Sequence, residues 1–196
     1  MYIIGITGGT GSGKTILLRV LEKQGALALD CDEIYHELLQ DNKKMKTEIE
    51  AHFNGVLISG VIDRKKLGGL VFNDKSALQK LNDITHKYVV DEVKRRLAEW
   101  EKQGGAVAAI DAIALIESGA GKLCNITIGV IAPVETRIKR IIKRDGITDE
   151  QAEKRINAQK PDSFYIENCD EILENSYNAP EEFEEKCKTL FKELLP

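Results

Sequence analysis

The fold is decided by residues 8–15, which read Gly8-Gly9-Thr10-Gly11-Ser12-Gly13-Lys14-Thr15. This segment fits the phosphate-loop pattern G-x-x-x-x-G-K-[ST]. The apolar run before it, residues 2–6, predicts a buried strand, and residues 15–21 predict a helix. A glycine-rich turn between a strand and a helix points successive backbone N–H groups and the positive end of the helix dipole at one phosphate. The segment therefore predicts a nucleoside-triphosphate site.

Each residue type in this loop has a chemical role in such a site. Lys14 is expected to reach the β- and γ-phosphates, and the Thr15 hydroxyl is expected to ligate Mg²⁺. The backbone amides of the preceding turn are expected to bind phosphate oxygens, and they belong to Gly9, Thr10, Gly11, Ser12 and Gly13. The alternative, a glycine-rich turn without a ligand, is disfavoured because all eight residues fit between a strand and a helix.

The composition disfavours a nucleic-acid-binding protein, a membrane protein and a zinc protein. Lys and Arg number 28 against 32 Asp and Glu, so the net charge of −4 provides no general attraction for nucleic acid. No apolar run approaches the ~18 residues of a membrane span, and the first strand leaves no room for a signal peptide. The four cysteines lie far apart without a C-x-x-C pair, which favours free thiols over a zinc site. We expect a cytoplasmic protein that binds neither nucleic acid nor membrane.

Four further apolar runs predict strands, at residues 26–29, 106–110, 126–131 and 171–173. The runs at 106–110 and 126–131 are apolar without alternation, as in parallel strands that are covered on both faces. Strands that alternate with helices predict a doubly wound sheet with right-handed crossovers. The predicted fold is an α/β three-layer sandwich of the P-loop kinase type, with a five-stranded parallel sheet, a helical insertion and a lid.

The region 34–104 interrupts the alternation of strands and helices. It is predominantly helical, and Val89, Val93, Leu97 and Trp100 follow one face of a long helix. We predict a nucleotide-binding core from residues 1–33 and 105–196, with residues 34–104 as an insertion that forms the other wall of the cleft. A purely structural insertion is the alternative.

Two carboxylates follow predicted strands, at the edge of a parallel sheet where ligands bind. Asp32 comes just after the second strand and is the candidate general base for an attacking hydroxyl group. Its alternative role is the N-cap of a helix that begins near Glu33. Asp111 ends the third strand, where a carboxylate can hold Mg²⁺ through water. An ordinary turn residue is an equally good interpretation of Asp111.

A basic helix face follows the fourth strand and contains Arg137, Arg140 and Arg144 together with Lys139 and Lys143. The planar guanidinium fork suits phosphate oxygens, although a solvated helix face is the common meaning of such a run. Thr148-x-x-Gln151 then predicts a capping box that opens another helix. Residues 140–162 therefore resemble a closing lid, with Arg140 and Arg144 as the functional arginines.

The spaced set of motifs resembles the dephospho-CoA kinase family, over most of the chain. The resemblance is carried by the phosphate loop, Asp30-Cys31-Asp32, Ile62-Asp63-Arg64-Lys65-Lys66-Leu67, Val71-Phe72, Leu81-Asn82-Asp83-Ile84-Thr85-His86, residues 111–117, Arg140, Arg144-Asp145, Arg155-Ile156, Gln159, Asp170 and Asn175. The phosphate loop alone indicates only a superfamily, whereas the spaced set is far more specific.

The resemblance implies transfer of the γ-phosphate of ATP to the ribose 3′-hydroxyl of dephospho-CoA, with ATP and Mg²⁺ as cofactors. It implies that Asp32 is the general base and that Lys14, Arg140 and Arg144 stabilise charge on the phosphoryl group. It also implies a nucleotide-side role for Asn175 and acceptor-side roles for three residues of the insertion: Asp63, Arg64 and His86. The sequence shows no dimer motif, and small kinases of this kind can act as monomers.

The chain departs from the family pattern at a few positions. Ile113 and Lys87 stand where proline is usual, Ala114 replaces a leucine, Tyr165 occupies a commonly basic position and Tyr177 replaces a glycine. Two alternatives to the implied reaction therefore stay open. The first is a kinase for another ribose-bearing metabolite, and the second is a non-catalytic nucleotide-binding module.

Overall fold

The computed structural model describes residues 1–72, 74–177 and 179–194. The chain divides into two compact units. The first combines Met1–Leu29 with Trp100–Pro196, and the second is Asp30–Glu99. The functional roles assigned above to residues 1–33, 34–104 and 105–196 stay predictions.

In the described residues the strands are β1 (Tyr2–Thr7), β2 (Leu27–Asp30), β3 (Leu57–Ile58), β4 (Val61–Ile62), β5 (Val107–Asp111), β6 (Ile126–Ile131) and β7 (Glu171–Glu174). The helices are α1 (Lys14–Lys23), α2 (Cys31–Asp41), α3 (Lys43–His52), α4 (Arg64–Val71), α5 (Lys75–Lys102), α6 (Val134–Asp145), α7 (Asp149–Asn157), α8 (Asp162–Asn168) and α9 (Pro180–Leu194). None of these helices is both long enough and apolar enough to cross a bilayer.

The five predicted strands are confirmed and form one sheet in the order β2-β5-β1-β6-β7. β1 pairs in parallel with β5 and β6, and β6 pairs in parallel with β7. The predicted α/β fold with a five-stranded parallel sheet is thereby confirmed. β6 has the predicted bounds, whereas the other four strands end one residue later than predicted, because each ends on a polar residue that follows the apolar run.

Side chains on the two faces of the sheet differ in size. Ile4 and Ile6 of β1 point into a core cluster that α1 and α9 cover, with Phe183 and Phe191 of α9. Gly5 points to the other face, where an added Cβ would lie 2.8 Å from the Leu115 side chain. Large residues on one face and glycine on the other therefore allow close packing on both sides of the central strand.

The carboxyl ends of the strands bring the predicted site residues to one edge of the sheet. Ile6 of β1 is in register with Asp111 of β5, and the Ala112 N–H donates to the Ile6 carbonyl at 3.0 Å. The Asn175 N–H donates to the Ile131 carbonyl at 2.8 Å, just past β6 and β7. Since the phosphate loop follows β1 directly, the loop, Asp111 and Asn175 share this edge.

The second unit contains α2, α3, α4 and most of α5 around its own core, which includes Met45, Ile49 and Ile84. The predicted apolar face of the long helix is confirmed, with Val93 and Leu97 buried. The hairpin β3–β4 was not predicted, because strands of two residues leave no detectable alternation.

Candidate active site

The phosphate loop has the backbone that the sequence pattern predicts. Gly8 has a φ of 140°, and Gly13, with a φ of 113°, is the N-cap of α1. The Ser12 N–H donates to the Gly9 carbonyl at 3.2 Å, which closes the turn. A side chain on Gly8 has no room, since its Cβ would lie 2.2 Å from the Val130 carbonyl oxygen of β6.

We expect Gly8→Ala to destabilise the chain by more than the cost of backbone strain alone. The positive φ costs about 1–2 kcal/mol, and the overlap with Val130 adds about 1–3 kcal/mol. Gly25→Ala is the matched control, because Gly25 also has a positive φ of 88° but open space around it. Urea unfolding measures both. Equal losses in the two variants would show that the close approach to β6 is unimportant.

The loop carbonyls are held from one side. Arg140 Nη1 donates to the carbonyls of Gly11 at 3.1 Å and Ser12 at 3.3 Å, and Asn175 Nδ2 donates to the Ser12 carbonyl at 2.7 Å. A trans peptide places its C=O and N–H on opposite sides. The Gly13 N–H, which follows the Ser12 carbonyl, therefore faces away from Arg140 and Asn175. This orientation leaves the Gly13 amide hydrogen for an anionic ligand, whereas the N–H groups of Thr10 and Ser12 donate to Gln159 and to the Gly9 carbonyl in this structure.

Ser12 provides a test of whether a phosphate group fits this loop. Its side chain is 1% exposed, and within the described residues its hydroxyl has no hydrogen-bond partner. A buried hydroxyl without a partner is costly, and a phosphate oxygen would satisfy it. Lys14 is partly buried and Thr15 is exposed at the start of α1. The donor set therefore fits a triphosphate.

The predicted metal ligands are oxygen donors, as Mg²⁺ prefers. Asp111 is 6% exposed at the end of β5, and Thr15 lies in the first turn of α1. The described part of the chain contains no cluster of three or more His, Cys, Asp or Glu side chains suited to a metal. Mg²⁺ retains several waters in nucleotide sites, so one or two protein oxygens are adequate. The assignment of Thr15 and Asp111 to Mg²⁺ stays a prediction.

A cavity of about 530 Å³ adjoins the start of α1. Its lining combines cationic side chains from α6 with apolar and amide groups from the start of α1, from the segment after β7 and from the first residue of α9. The residues are Gly13, Ile16, Lys139, Arg140, Lys143, Arg144, Asn175 and Pro180. The structure thus brings together Gly13, Arg140, Arg144 and Asn175 from the predicted set. Ile16 and Pro180 were missed, because an apolar side chain in a helix or turn carries no sequence signal for a ligand.

Arg140 contacts both the phosphate loop and the residues that follow β7. Its Nη2 donates to Asn175 Oδ1 at 3.1 Å and to the Tyr177 carbonyl at 2.7 Å, in addition to the loop contacts of Nη1. Burial lowers the pKa of Arg140 from its ordinary value. In this structure Arg140 and Asn175 fix the loop, and their roles toward a ligand stay predictions.

Arg144 forms a bidentate pair with the next residue. Its Nε and Nη2 donate to the two carboxylate oxygens of Asp145 at 2.6 and 3.0 Å, and Arg155 of α7 contacts the same carboxylate. These guanidinium groups lower the pKa of Asp145 from 3.8 to about 2, with the Arg144 hydrogen bonds as the largest cause. A catalytic role for Arg144 therefore requires it to exchange partners. The predicted capping box that opens α7 is confirmed.

The low pKa of Asp145 gives a pH prediction. A depressed carboxyl pKa stabilises the folded state above the unfolded value near 4, and this stabilisation is lost as the pH falls toward 2. We expect the difference in unfolding free energy between wild type and Asp145→Asn to shrink between pH 5 and pH 2.5. Urea titrations at several pH values measure it. A difference that stays constant over this range would contradict the pairing.

Asp32 lies in the first turn of α2 in the second unit, and its side chain is exposed. The N-cap is Asp30, whose carboxylate accepts from the N–H groups of Asp32 at 2.8 Å and Glu33 at 3.2 Å. The alternative interpretation of Asp32 as the N-cap was therefore wrong. Asp30 takes this position because its extended backbone ends β2 directly before the helix. The general-base role of Asp32 stays a prediction.

The three acceptor-side candidates all lie in the second unit. Asp63 is the N-cap of α4 and accepts from the Lys66 N–H at 3.0 Å. Arg64 is exposed in the first turn of α4. Burial raises the pKa of Tyr35, and the positive charge of Arg64 partly opposes this rise. His86 is partly buried on α5. Their contacts with an acceptor stay predictions.

Two departures from the family pattern have structural explanations. Lys87, on α5, donates to Glu48 of α3 at 2.5 Å, and Tyr88 donates to the other oxygen of this carboxylate at 2.8 Å. Tyr165 of α8 is 1% exposed and packs against the position of Gly129 in β6. Both side chains thus have contacts within their own units, and the buried Tyr165 hydroxyl has no hydrogen-bond partner among the described residues.

Comparison with known proteins agrees with this geometry. A family model described as dephospho-CoA kinase matches residues 2–181. The dephospho-CoA kinase of Geobacter sulfurreducens is 36% identical over 198 residues, which cover both chains completely. The crystal structure of TT1252 from Thermus thermophilus has a TM-score of 0.81 and 29% identity, covering 100% of this chain and 98% of that chain. A dephospho-CoA kinase from Campylobacter jejuni has a TM-score of 0.69 and 26% identity, covering 98% and 96%.

Proposed function

The chain belongs to the dephospho-CoA kinase family, and from this premise we propose that it transfers the γ-phosphoryl group of ATP to the ribose 3′-hydroxyl of dephospho-CoA, giving coenzyme A. The observation that supports the proposal best is the phosphate loop, with its carbonyls held by Arg140 and Asn175 and its Ser12 hydroxyl buried without a partner in the described residues. A loop with this donor set suits a triphosphate.

On the donor side, the chain binds and orients the triphosphate. The Gly13 amide and the Ser12 hydroxyl donate to phosphate oxygens, and Lys14 places a positive charge beside the β- and γ-phosphates. The cavity between α1 and α6 takes the nucleoside, with Ile16 and Pro180 as apolar walls. Phosphoryl transfer requires mainly positioning and charge stabilisation, which these groups supply.

On the acceptor side, Asp32 accepts the proton of the attacking 3′-hydroxyl group, and Asp63, Arg64 and His86 hold the acceptor. An exposed carboxylate in the first turn of a helix is accessible to a substrate. Arg144 leaves Asp145 and stabilises charge on the phosphoryl group, while Arg155 keeps the Asp145 carboxylate paired. Residues 140–162 form the lid, which excludes water from the reaction.

Mg²⁺ belongs to the proposal as the partner of the triphosphate, with Thr15 and Asp111 as the residues that would hold it. When bound, the metal neutralises charge on the phosphate oxygens. The further expectations are a cytoplasmic setting, a small-molecule substrate, and no nucleic-acid or membrane partner. The oligomeric state stays open, and a monomer is compatible with the proposal.

An ADP-release assay across a panel of acceptors tests the proposal. The panel contains dephospho-CoA, free nucleosides and other ribose-bearing metabolites, and phosphorus NMR locates the new phosphate on the product. We expect turnover with dephospho-CoA and a phosphate on the 3′-oxygen. Turnover only with another acceptor would overturn the substrate assignment, and ATP binding without turnover on any acceptor would indicate a nucleotide-binding module.

A further inference from the structure

We propose that Gln159 and Arg137 are positioning residues that hold the phosphate loop at Thr10 in its binding conformation before the nucleotide arrives. The inference deepens the proposed function on its donor side, and it rests on ATP binding at this loop but not on the identity of the acceptor. The sequence placed Gln159 only in the predicted lid and Arg137 in a basic helix face without a defined role.

The apex of the loop needs an external restraint. Thr10 stands between Gly9 and Gly11, and glycine loses more backbone freedom on ordering than any other residue. The turn itself contributes one backbone hydrogen bond, from Ser12 to Gly9. An unrestrained apex would have to be ordered by the ligand, which would weaken ligand binding.

Gln159 engages Thr10 at two points. The Thr10 N–H donates to Gln159 Oε1 at 2.8 Å, and Gln159 Nε2 donates to Thr10 Oγ1 at 2.6 Å. A primary amide has one acceptor and one donor end, so it suits the N–H and the hydroxyl of one threonine together. Gln159 therefore binds both the backbone and the side chain of Thr10.

Arg137 completes the restraint. Its Nε donates to the Thr10 carbonyl at 2.9 Å, and its Nη2 donates to Gln159 Oε1 at 3.0 Å. The N–H, the carbonyl and the hydroxyl of Thr10 are thus all bound by residues more than 120 positions later in the chain.

The Arg137 side chain is buried against the loop. Its side chain is 3% exposed, and its Nη1 lies 3.5 Å from Asp162 Oδ1. A Cβ on Gly9 would lie 2.1 Å from Arg137 Nη2, so glycine at position 9 leaves the space that the guanidinium fills. A buried charge requires hydrogen-bond partners, and here Thr10, Gln159 and Asp162 supply them.

These contacts connect the apex to three helices. Arg137 belongs to α6, Gln159 follows the end of α7, and Asp162 begins α8. Arg140, at the start of the predicted lid, and Gln159, near its end, therefore both contact the loop. A loop ordered in advance binds its ligand more tightly, because less freedom is lost on binding.

The test combines Gln159→Met, Thr10→Val and the double variant, with titration calorimetry of ATP in the absence of any acceptor. Gln159→Met keeps the side-chain length and removes the two hydrogen bonds to Thr10 together with the one that Gln159 accepts from Arg137. We expect the Kd for ATP to rise about tenfold or more in Gln159→Met and less in Thr10→Val. The double variant should resemble Gln159→Met, because both changes act on the same contacts.

Hydrogen exchange and a matched control separate positioning from general stability. Exchange at residues 9–13 of the ligand-free Gln159→Met chain should be faster, while exchange in the strands β1 and β6 changes little. Gln24→Met makes the same substitution at an exposed position in the first unit, and it should leave the Kd unchanged.

An unchanged Kd in a folded Gln159→Met chain, or strictly additive effects in the double variant, would overturn the proposal. If Gln159→Met does not fold, Thr10→Ser and Thr10→Val decide, since serine keeps the hydroxyl contact and valine loses it. Equal ATP affinities in these two variants would equally refute it. Since no acceptor is present, a failure to phosphorylate dephospho-CoA would leave these results unaffected, so the two failures are distinguishable.

Discussion

Asp32→Asn should lower the rate of phosphoryl transfer about 10²- to 10⁴-fold and leave the affinity for ATP nearly unchanged. Asparagine keeps the shape of the side chain but cannot accept the proton of the attacking hydroxyl group. The capping of α2 should survive, because Asp30 is the N-cap and its carboxylate accepts from the backbone N–H of residue 32, which the substitution keeps. Single-turnover kinetics with saturating ATP and dephospho-CoA measure the rate of the chemical step.

Glu33→Gln is the matched control for this experiment. Glu33 is the next residue in the same first turn, is also exposed, and also donates its N–H to Asp30. The control removes one carboxylate charge at the same helix end, so any effect of net charge or helix dipole appears in both variants. A similar small change in both would remove Asp32 from the chemistry.

Lys14→Met should weaken ATP binding and catalysis together. The loss of a charge-assisted hydrogen bond is expected to raise the Kd for ATP about 10- to 100-fold. The loss of a positive charge beside the transferring group is expected to lower kcat by a further 10²- to 10³-fold. Calorimetry with ATP and steady-state kinetics measure the two effects separately.

Lys23→Met provides the comparison at the other end of α1. Lys23 is exposed and pairs with Glu184 of α9 at 3.0 Å, so its removal should cost little stability and no activity. Normal kinetics in Lys14→Met would refute the role of Lys14. A loss of ATP affinity without any loss of kcat would restrict that role to binding.

The sequence predicted the elements whose signals are local. The phosphate loop is readable because its glycines, Lys14 and Thr15 lie within eight residues, and the capping box at Thr148 spans only four. The five strands were found because apolar runs are long enough to detect. Asp30 and Asp32 show the limit of such local signals. The helix was predicted to begin near Glu33 but begins at Cys31, so Asp32 was considered as the N-cap in place of Asp30.

Several parts of the candidate site had no local signal. The hairpin β3–β4 has strands of two residues. The sequence of α6 does not distinguish its solvated arginines from its buried ones. In the structure, Arg144 is exposed and paired with Asp145, whereas Arg137 is buried against the loop. Ile16 and Pro180 line a cavity only because their elements meet there.

The sequence by itself determined the phosphate loop, the parallel sheet and the family, because each depends on residue types at short spacing or on motifs in a fixed order. Only the tertiary structure decided which side chains hold the loop. Arg137, Arg140, Gln159 and Asn175 lie more than 120 residues from it, and hydrogen bonds act only over about 3 Å. Their contact with the loop exists because β1 and β6 are neighbours in the sheet, which places α6 beside the turn that follows β1.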